Sequence, residues 1–250
     1  MSFTRTSLVF AFIGLTSSAQ AKDLYLNFEQ LRSAHREGQD YIVTVQDSSA
    51  PMSVIAPHGG AIEWGTEELA RDLALSGMNL YLFESRLCKG SDSIGVQEGL
   101  CQKDRFGNLH LTSHHFDDPR AVALAEKSLF CVSLHGYGSR EDSVGVMFGG
   151  LSEDLKKRML KAFKEGLPEV KIVPPKHGLA GAHPKNIVNR CQEQGVQLEF
   201  SPAFRMKLRK NASFRKRVSD VIQDVVFKRC LEIPSASAAQ WGTPKACSRK

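Results

Sequence analysis

The sequence predicts an α/β protein, a single domain built on one open sheet of mixed and parallel strands flanked by helices. Three observations carry this. Short β-branched and apolar runs alternate with amphipathic helical segments along most of the chain. The composition is globular: 42% hydrophobic and 24% charged over 250 residues, with 33 Lys+Arg against 27 Asp+Glu for a formal net charge of +6. This excludes a disordered or collagen-like chain, and the length suits one large domain. Finally, clusters containing His, Gly and Glu stand directly after strand candidates, where open α/β sheets bind their ligands.

The elements follow in order. Residues 1–21 stand apart: Arg5, then an apolar run from Leu8 to Leu15, then Ser18-Ala19-Gln20-Ala21. A cationic start, a short apolar core and an Ala-x-Ala site predict a cleavable signal peptide cut near Ala21. The run is too short to span a bilayer, and no later stretch approaches that length. The expected product is therefore exported, secreted or periplasmic, with no membrane partner. Its folded domain covers residues 22–233, and a Ser/Ala/Pro-rich tail covers 234–250.

Within the domain, Tyr41–Gln46 and Met52–Pro57 are β-rich. Thr66–Leu75 is helical, with Thr66 as the expected N-cap and Glu67 and Glu68 favouring the helix dipole. Met78–Ser85 returns to strand, and a polar loop follows from Arg86 to Asn108. Leu109–Thr112 is a short strand candidate. Pro119–Lys127 is a helix opened by Asp118-Pro119. Leu129–Leu134 is a continuous apolar run of buried-strand type. Ser143–Met147 is a further strand. Ser152–Glu165 places Leu155, Met159 and Phe163 on one helical face. Glu169–Val173 is a strand ended by two prolines, Val196–Ser201 is the last strand, and Ser213–Arg229 is the last helix.

Six cysteines in an exported chain imply disulfides. Cys88 and Cys101 bracket the polar loop and form the first expected pair; Cys230 and Cys247 bracket the tail and form the second. Cys131, inside an apolar strand, is expected to be a buried free thiol. No C-x-x-C occurs, so zinc ribbons and thioredoxin-type redox sites are unsupported.

Three clusters carry chemistry. His58 follows the strand Met52–Pro57, and Glu63 comes five residues later across the Gly59-Gly60 turn. His135 ends the strand Leu129–Leu134. Two imidazoles and a carboxylate, with a fourth position open to water, suit a hydrolytic zinc site. Glu199 lies near the end of the last strand in apolar surroundings, placed to act as general base. Taken singly, each His reads equally as a surface residue and each Glu as a solvated one. The joint placement at strand ends is what distinguishes them.

Several motifs then occur in order: Pro57-His58-Gly59-Gly60-Ala61-Ile62-Glu63-x-Gly65-Thr66-x-Glu68, Tyr81-Leu82-Phe83, His114/His115-Phe116-Asp117, Ser133-Leu134-His135-Gly136-Tyr137, Asn186-Ile187-Val188-Asn189-Arg190 and Gly195-Val196-Gln197-Leu198-Glu199. In this ordered set, from about Tyr41 to Arg229, the chain resembles the poly-γ-glutamate hydrolase family. The resemblance implies a zinc-carboxypeptidase-like fold and a Zn2+ cofactor, with His58, Glu63 and His135 as ligands and Glu199 as the catalytic carboxylate. The Asn189-Arg190 pair also resembles the Asn-Arg pair of zinc carboxypeptidases, which implies a grip on a substrate carboxylate, since a guanidinium binds carboxylates bidentately; the alternative is a structural salt bridge. Arg205 is a second anchor candidate, and Tyr137 a hydrogen-bond donor or a packed aromatic. The Arg86–Asn108 loop and the tail depart from the short family pattern.

The expected function is a secreted, monomeric zinc amidohydrolase of γ-linked glutamyl polymers, with the polyanionic substrate as partner. Rival readings are a peptidoglycan amidase and a non-catalytic binding module on the same fold. Basic residues concentrate after Glu199; most of them read as a solvated helix face, with attraction of a polyanion by Lys207, Arg209 and Lys210 as the testable alternative. The stretch Arg205–Arg217 lacks aromatic interleaving, so no nucleic-acid partner is expected.

Overall fold

The computed structural model describes residues 23–89, 102–104, 109–138, 143–176, 178–232 and 247. The expected signal peptide, most of the tail and the Cys88–Cys101 pair fall outside them. A seven-stranded mixed sheet runs in the order β1-β3-β2-β6-β9-β7-β8. Its strands are β1 (Tyr41–Gln46), β2 (Met52–Gly60), β3 (Asn79–Ser85), β6 (Phe130–Gly136), β7 (Gly145–Gly149), β8 (Lys171–Ile172) and β9 (Gly195–Phe200). The four central strands, β3-β2-β6-β9, are mutually parallel. β1 is antiparallel to β3, and β7 is antiparallel to β9. A short parallel pair, β4 (Leu87–Lys89) and β5 (Gln102–Asp104), lies outside this sheet.

Among the described residues, six helices flank the sheet: α1 (Phe28–Ala34), α2 (Thr66–Leu75), α3 (Pro119–Lys127), α4 (Glu153–Gly166), α5 (Pro202–Lys210) and α6 (Ala212–Leu231). Strand side chains alternate between the two faces. On one face, Val132, Leu134, Val196 and Leu198 pack with Leu69 and Leu73 of α2, Leu155, Met159 and Phe163 of α4, and Ile222 of α6. Each of these fully buried side chains contributes roughly 1.5–3 kcal/mol of hydrophobic stabilisation. On the other face, Ile55, Tyr81, Phe83 and Cys131 pack with Phe28 and Leu31 of α1, Leu124 of α3, and Phe116 and Val188. This second core leaves room above the strand ends for polar residues.

The fold class and most elements agree with the sequence reading, and four particulars differ. The first helix, α1, and the basic helix α5 are both additional. α5 starts at Ser201-Pro202, with the Ser201 hydroxyl accepting from the Phe204 N–H. Leu109–Thr112 forms no strand; it is a loop whose backbone serves the site described below. The N-cap of α2 is Gly65, in the left-handed region at φ 96°, while the Thr66 hydroxyl donates to the Glu63 carbonyl. Cys131 is no free thiol: it pairs with Cys191, with Cα atoms 6.0 Å apart, and ties β6 to the 3₁₀ turn Ile187–Arg190. A pairing across 60 residues cannot be deduced from local spacing. The expected Cys230–Cys247 disulfide is present. Among the described residues, no helix is long and apolar enough to cross a membrane.

Candidate active site

His58, His135 and Glu199 stand at the carboxyl ends of three adjacent parallel strands. His135 and Glu199 are register partners on β6 and β9. Cys131 belongs to the second face, so Ser133 and His135 follow it there, as do Gln197 and Glu199. His58 needs a further device. Regular alternation would place it with Val54 and Ala56 on the opposite face. The register shift between Ala56 and Gly59 re-aims it, as bulges do. Gly60 then turns the chain at φ 62°, where a Cβ would lie 2.4 Å from the Ser85 carbonyl oxygen. That left-handed turn, open to glycine, returns the chain so that Glu63 meets His58.

The result is a compact buried cluster. His58 Nδ1 lies 3.2 Å from Glu63 Oε1 and 3.1 Å from His135 Nδ1. Glu63 Oε2 accepts from the Gly136 N–H at 2.8 Å and lies 3.9 Å from His135 Nδ1. His58 Nε2 sits 2.7 Å from the Leu111 carbonyl oxygen, so the ring donates there and turns Nδ1 to the cluster. Donors around a tetrahedral divalent ion stand about 3.3 Å apart, given metal–ligand bonds near 2 Å. These three residues therefore fit a metal. His135 Nε2 is buried without a hydrogen-bond partner, as is Glu199 Oε2.

Electrostatics agree. Burial opposes ionisation of Glu63, but the adjacent His58 outweighs it and holds the carboxyl down at about 2. Burial also opposes charge on His58, yet Glu63 and the Leu111 carbonyl carry its pKa above the ordinary value. His135, buried and facing His58, is held down at about 3 and stays neutral, as a metal ligand must. Glu199 is pushed well above the ordinary range by burial and by Glu63, with Gln197 and Arg205 pulling the other way. Its Oε1 accepts from Gln197 Nε2 at 2.7 Å, and Gln197 in turn accepts from Asn186 Nδ2 at 2.8 Å.

Arg205, on the first turns of α5, reaches over Gly136. A Cβ at Gly136 would lie 2.4 Å from Arg205 Nε, so a larger residue there would displace the guanidinium. That Nε is buried without a hydrogen-bond partner, and the guanidinium interacts electrostatically with Glu63 and Glu199. Tyr137 is buried, its N–H donating to the Phe200 carbonyl, with Lys176 Nζ over its ring.

Asn189 and Arg190 are not brought to this cluster. The Asn189 amide accepts from the Leu151 N–H and donates to the Gly181 and His183 carbonyls, which staples the 178–185 loop. Arg190 points to Glu126 on α3, 3.6 Å away. Its neighbour Cys191 is bonded to Cys131, four residues before His135 on β6. At about 3.3 Å per residue this is roughly 13 Å down the strand from the cluster.

One site residue escapes the sequence reading. His110 stacks against His58, with ring centroids 4.3 Å apart, and His58, Glu63 and His110 form a group able to hold a metal ion. The only trace in the sequence is a His between two leucines, Leu109 and Leu111, both fully buried. The neighbouring acids have structural duties: Asp117 accepts from the Phe28 N–H at the start of α1, and Asp118 caps α3 and accepts from the Tyr81 hydroxyl.

Comparison with known proteins places the chain. The family profile described as poly-gamma-glutamate hydrolase matches residues 25–232. YndL of Bacillus subtilis (strain 168) is 34% identical over 206 residues, covering 80% of this chain and 73% of that protein. The SPbeta prophage-derived protein YoqZ of the same organism is 30% identical over 193 residues, covering 77% and 64%. Among solved structures, a bacteriophage poly-gamma-glutamate hydrolase superposes with a TM-score of 0.71 at 28% identity, covering 84% of this chain and 99% of that one. A zinc-free apo structure of YndL gives a TM-score of 0.68, also at 28% identity, covering 85% and 100%. The match over most of the chain, the shared fold and the ordered site motifs lead to one conclusion: this chain belongs to the poly-γ-glutamate hydrolase family.

Proposed function

We propose that the protein is a secreted or periplasmic zinc-dependent amidohydrolase that cleaves γ-glutamyl amide bonds of poly-γ-glutamate. The observation that carries this reading is the buried His58–Glu63–His135 cluster with Glu199 in register beside it. The zinc-free state of YndL and the hydrolase name of the bacteriophage structure support zinc and the substrate class. The disulfides Cys131–Cys191 and Cys230–Cys247, found among the described residues, suit an oxidising compartment.

His58, Glu63 and His135 would hold the ion, which when bound supplies Lewis acidity and a water of lowered pKa. Glu199 removes the proton from the attacking water at Oε2, its unpartnered oxygen, and returns it to the leaving amine. Gln197 and Asn186 fix the other carboxylate oxygen, so the base is pre-aligned. Each unit of the polymer carries a free α-carboxylate. We assign its capture to Arg205, whose guanidinium stands beside both acids, in preference to the distant Arg190.

The substrate acts as the principal partner, and the enzyme works as a monomer without nucleic-acid or membrane contacts. The basic stretch after Glu199 is largely committed within the fold: Arg215 pairs with Asp72 and Arg217 with Glu169, while Lys207 lies over Phe214 and Arg209 over Trp64.

The test is incubation of the purified protein with poly-γ-glutamate and, separately, with cell-wall sacculi, before and after chelation. The expected results are shortening of the polymer, loss of cleavage on chelation and recovery with zinc. Cleavage of sacculi alone would transfer the reading to a peptidoglycan amidase, and unchanged cleavage after complete metal removal would refute the zinc site. A second prediction concerns Arg205. Arg205→Lys keeps the charge but loses the planar fork, so kcat/KM is expected to fall about 10- to 100-fold, chiefly through KM, for the loss of a charge-assisted hydrogen bond. Steady-state kinetics on polymers of defined length measure this, with thermal melting as the control for folding.

A further inference from the structure

We propose that Asp23 is a positioning residue of the metal site, aiming His110 into the site as a third imidazole beside His58 and His135. The inference rests on the zinc reading above and extends it to two residues outside the sequence motifs quoted for it.

The geometry is specific. Asp23 Oδ1 lies 2.8 Å from His110 Nδ1, and Asp23 Oδ2 accepts from the Thr112 N–H at 2.8 Å. Between these two anchor points, the Leu111 carbonyl receives His58 Nε2 at 2.7 Å. One carboxylate therefore clamps a three-residue segment that serves the first ligand through its backbone and approaches it through its side chain. With Nδ1 bonded to Asp23, Nε2 is the nitrogen that His110 would turn to a metal. His58, Glu63 and His110 can each offer one ligand atom such that these atoms lie within 4.8 Å of one another.

A carboxylate on the far nitrogen is the usual partner of a metal-bound imidazole: it fixes the tautomer and ring orientation and raises basicity. Asp23 is suited to the role. Although burial opposes its ionisation, the His110 bond and the Thr112 N–H hold its carboxyl well below the ordinary range. It also accepts from His115 Nδ1 at 3.2 Å, which supplies an internal control. Asp23 stands 87 residues before His110, so the contact joins two distant parts of the chain.

The test is zinc affinity by chelator competition, on the full protein and four variants. Asp23→Asn is expected to weaken zinc binding 10- to 100-fold, the range for partners of ligating residues. It retains an oxygen for Thr112, and thermal melting verifies that it folds. His110→Ala should weaken binding at least as much and alter the visible spectrum of the cobalt-loaded protein. The double variant Asp23→Asn/His110→Ala should be no weaker than His110→Ala alone, since Asp23 acts through His110. His115→Ala should bind as the parent does. An Asp23→Asn variant with parental affinity, or additive losses in the double variant, would overturn the proposal while leaving the zinc site standing. A parent protein that binds no zinc would overturn the zinc reading itself.

Discussion

Glu199→Gln is expected to lower kcat by about 10²- to 10⁴-fold, the usual contribution of a general base, with KM and zinc content unchanged. The substitution is nearly isosteric, and its carbonyl oxygen can still accept from Gln197 Nε2, so the Asn186–Gln197–Glu199 chain survives. Folding should not suffer either. In the metal-free protein, burial and Glu63 push Glu199 well above the ordinary carboxyl range. The amide therefore replaces a carboxyl whose charged form the fold disfavours. What the variant loses is the capacity to ionise once the positive charge that the cluster is built to hold is in place. Single-turnover cleavage of poly-γ-glutamate, with metal analysis of the same sample, measures this. Retention of a tenth or more of the parental rate would remove Glu199 from the role of base. A parallel loss of zinc would make it a ligand instead.

The contrast between Glu199 and His110 shows what a sequence can reveal of such a site. His58, His135 and Glu199 each end an apolar run, and a run of that kind is recognisable as a strand without knowing its neighbours. The rule that ligands bind at strand ends then selects them. That these strands are adjacent and parallel is decided by non-local pairing, which one sequence does not display. The side to which His58 points depends on the register shift after Ala56, a detail of backbone geometry. His110 lies on an irregular loop and its partner Asp23 at the far end of the chain, so neither periodicity nor spacing marks them. Arg205 illustrates the opposite difficulty. Its stretch reads as a run of basic charge, and only the start of α5 at Ser201-Pro202, beside Gly136, separates it from residues paired at the surface. Asn189 and Arg190 were legible as a motif, but the Cys131–Cys191 bond holds them to the lower half of β6.

That bond underlies the second large prediction. Replacing Cys131 and Cys191 together by Ala is expected to destabilise the protein by roughly 4 kcal/mol, the chain-entropy value for a closed loop of this length. In a protein of this size, this is a fall in melting temperature on the order of 10 °C. The closed loop spans 60 residues and includes β7, α4 and β8, so the constraint acts on a large part of the unfolded ensemble. The Cys230–Cys247 bond closes only 17 residues near the chain end and should matter less. The same double replacement should also reach the active site. Cys191 directly follows the 3₁₀ turn Ile187–Arg190, whose cap is Asn186, and Asn186 braces Gln197 against Glu199. Releasing that turn from β6 loosens the support of the base without touching a metal ligand. The variant should therefore lose kcat well below its melting temperature while retaining zinc, whereas Cys230→Ala/Cys247→Ala should keep both. Melting curves, kinetics and metal content on the two double variants separate these effects. Equal stability losses in the two would refute the loop-length argument, and unchanged kcat in the first would show that the brace on Glu199 stands without the disulfide.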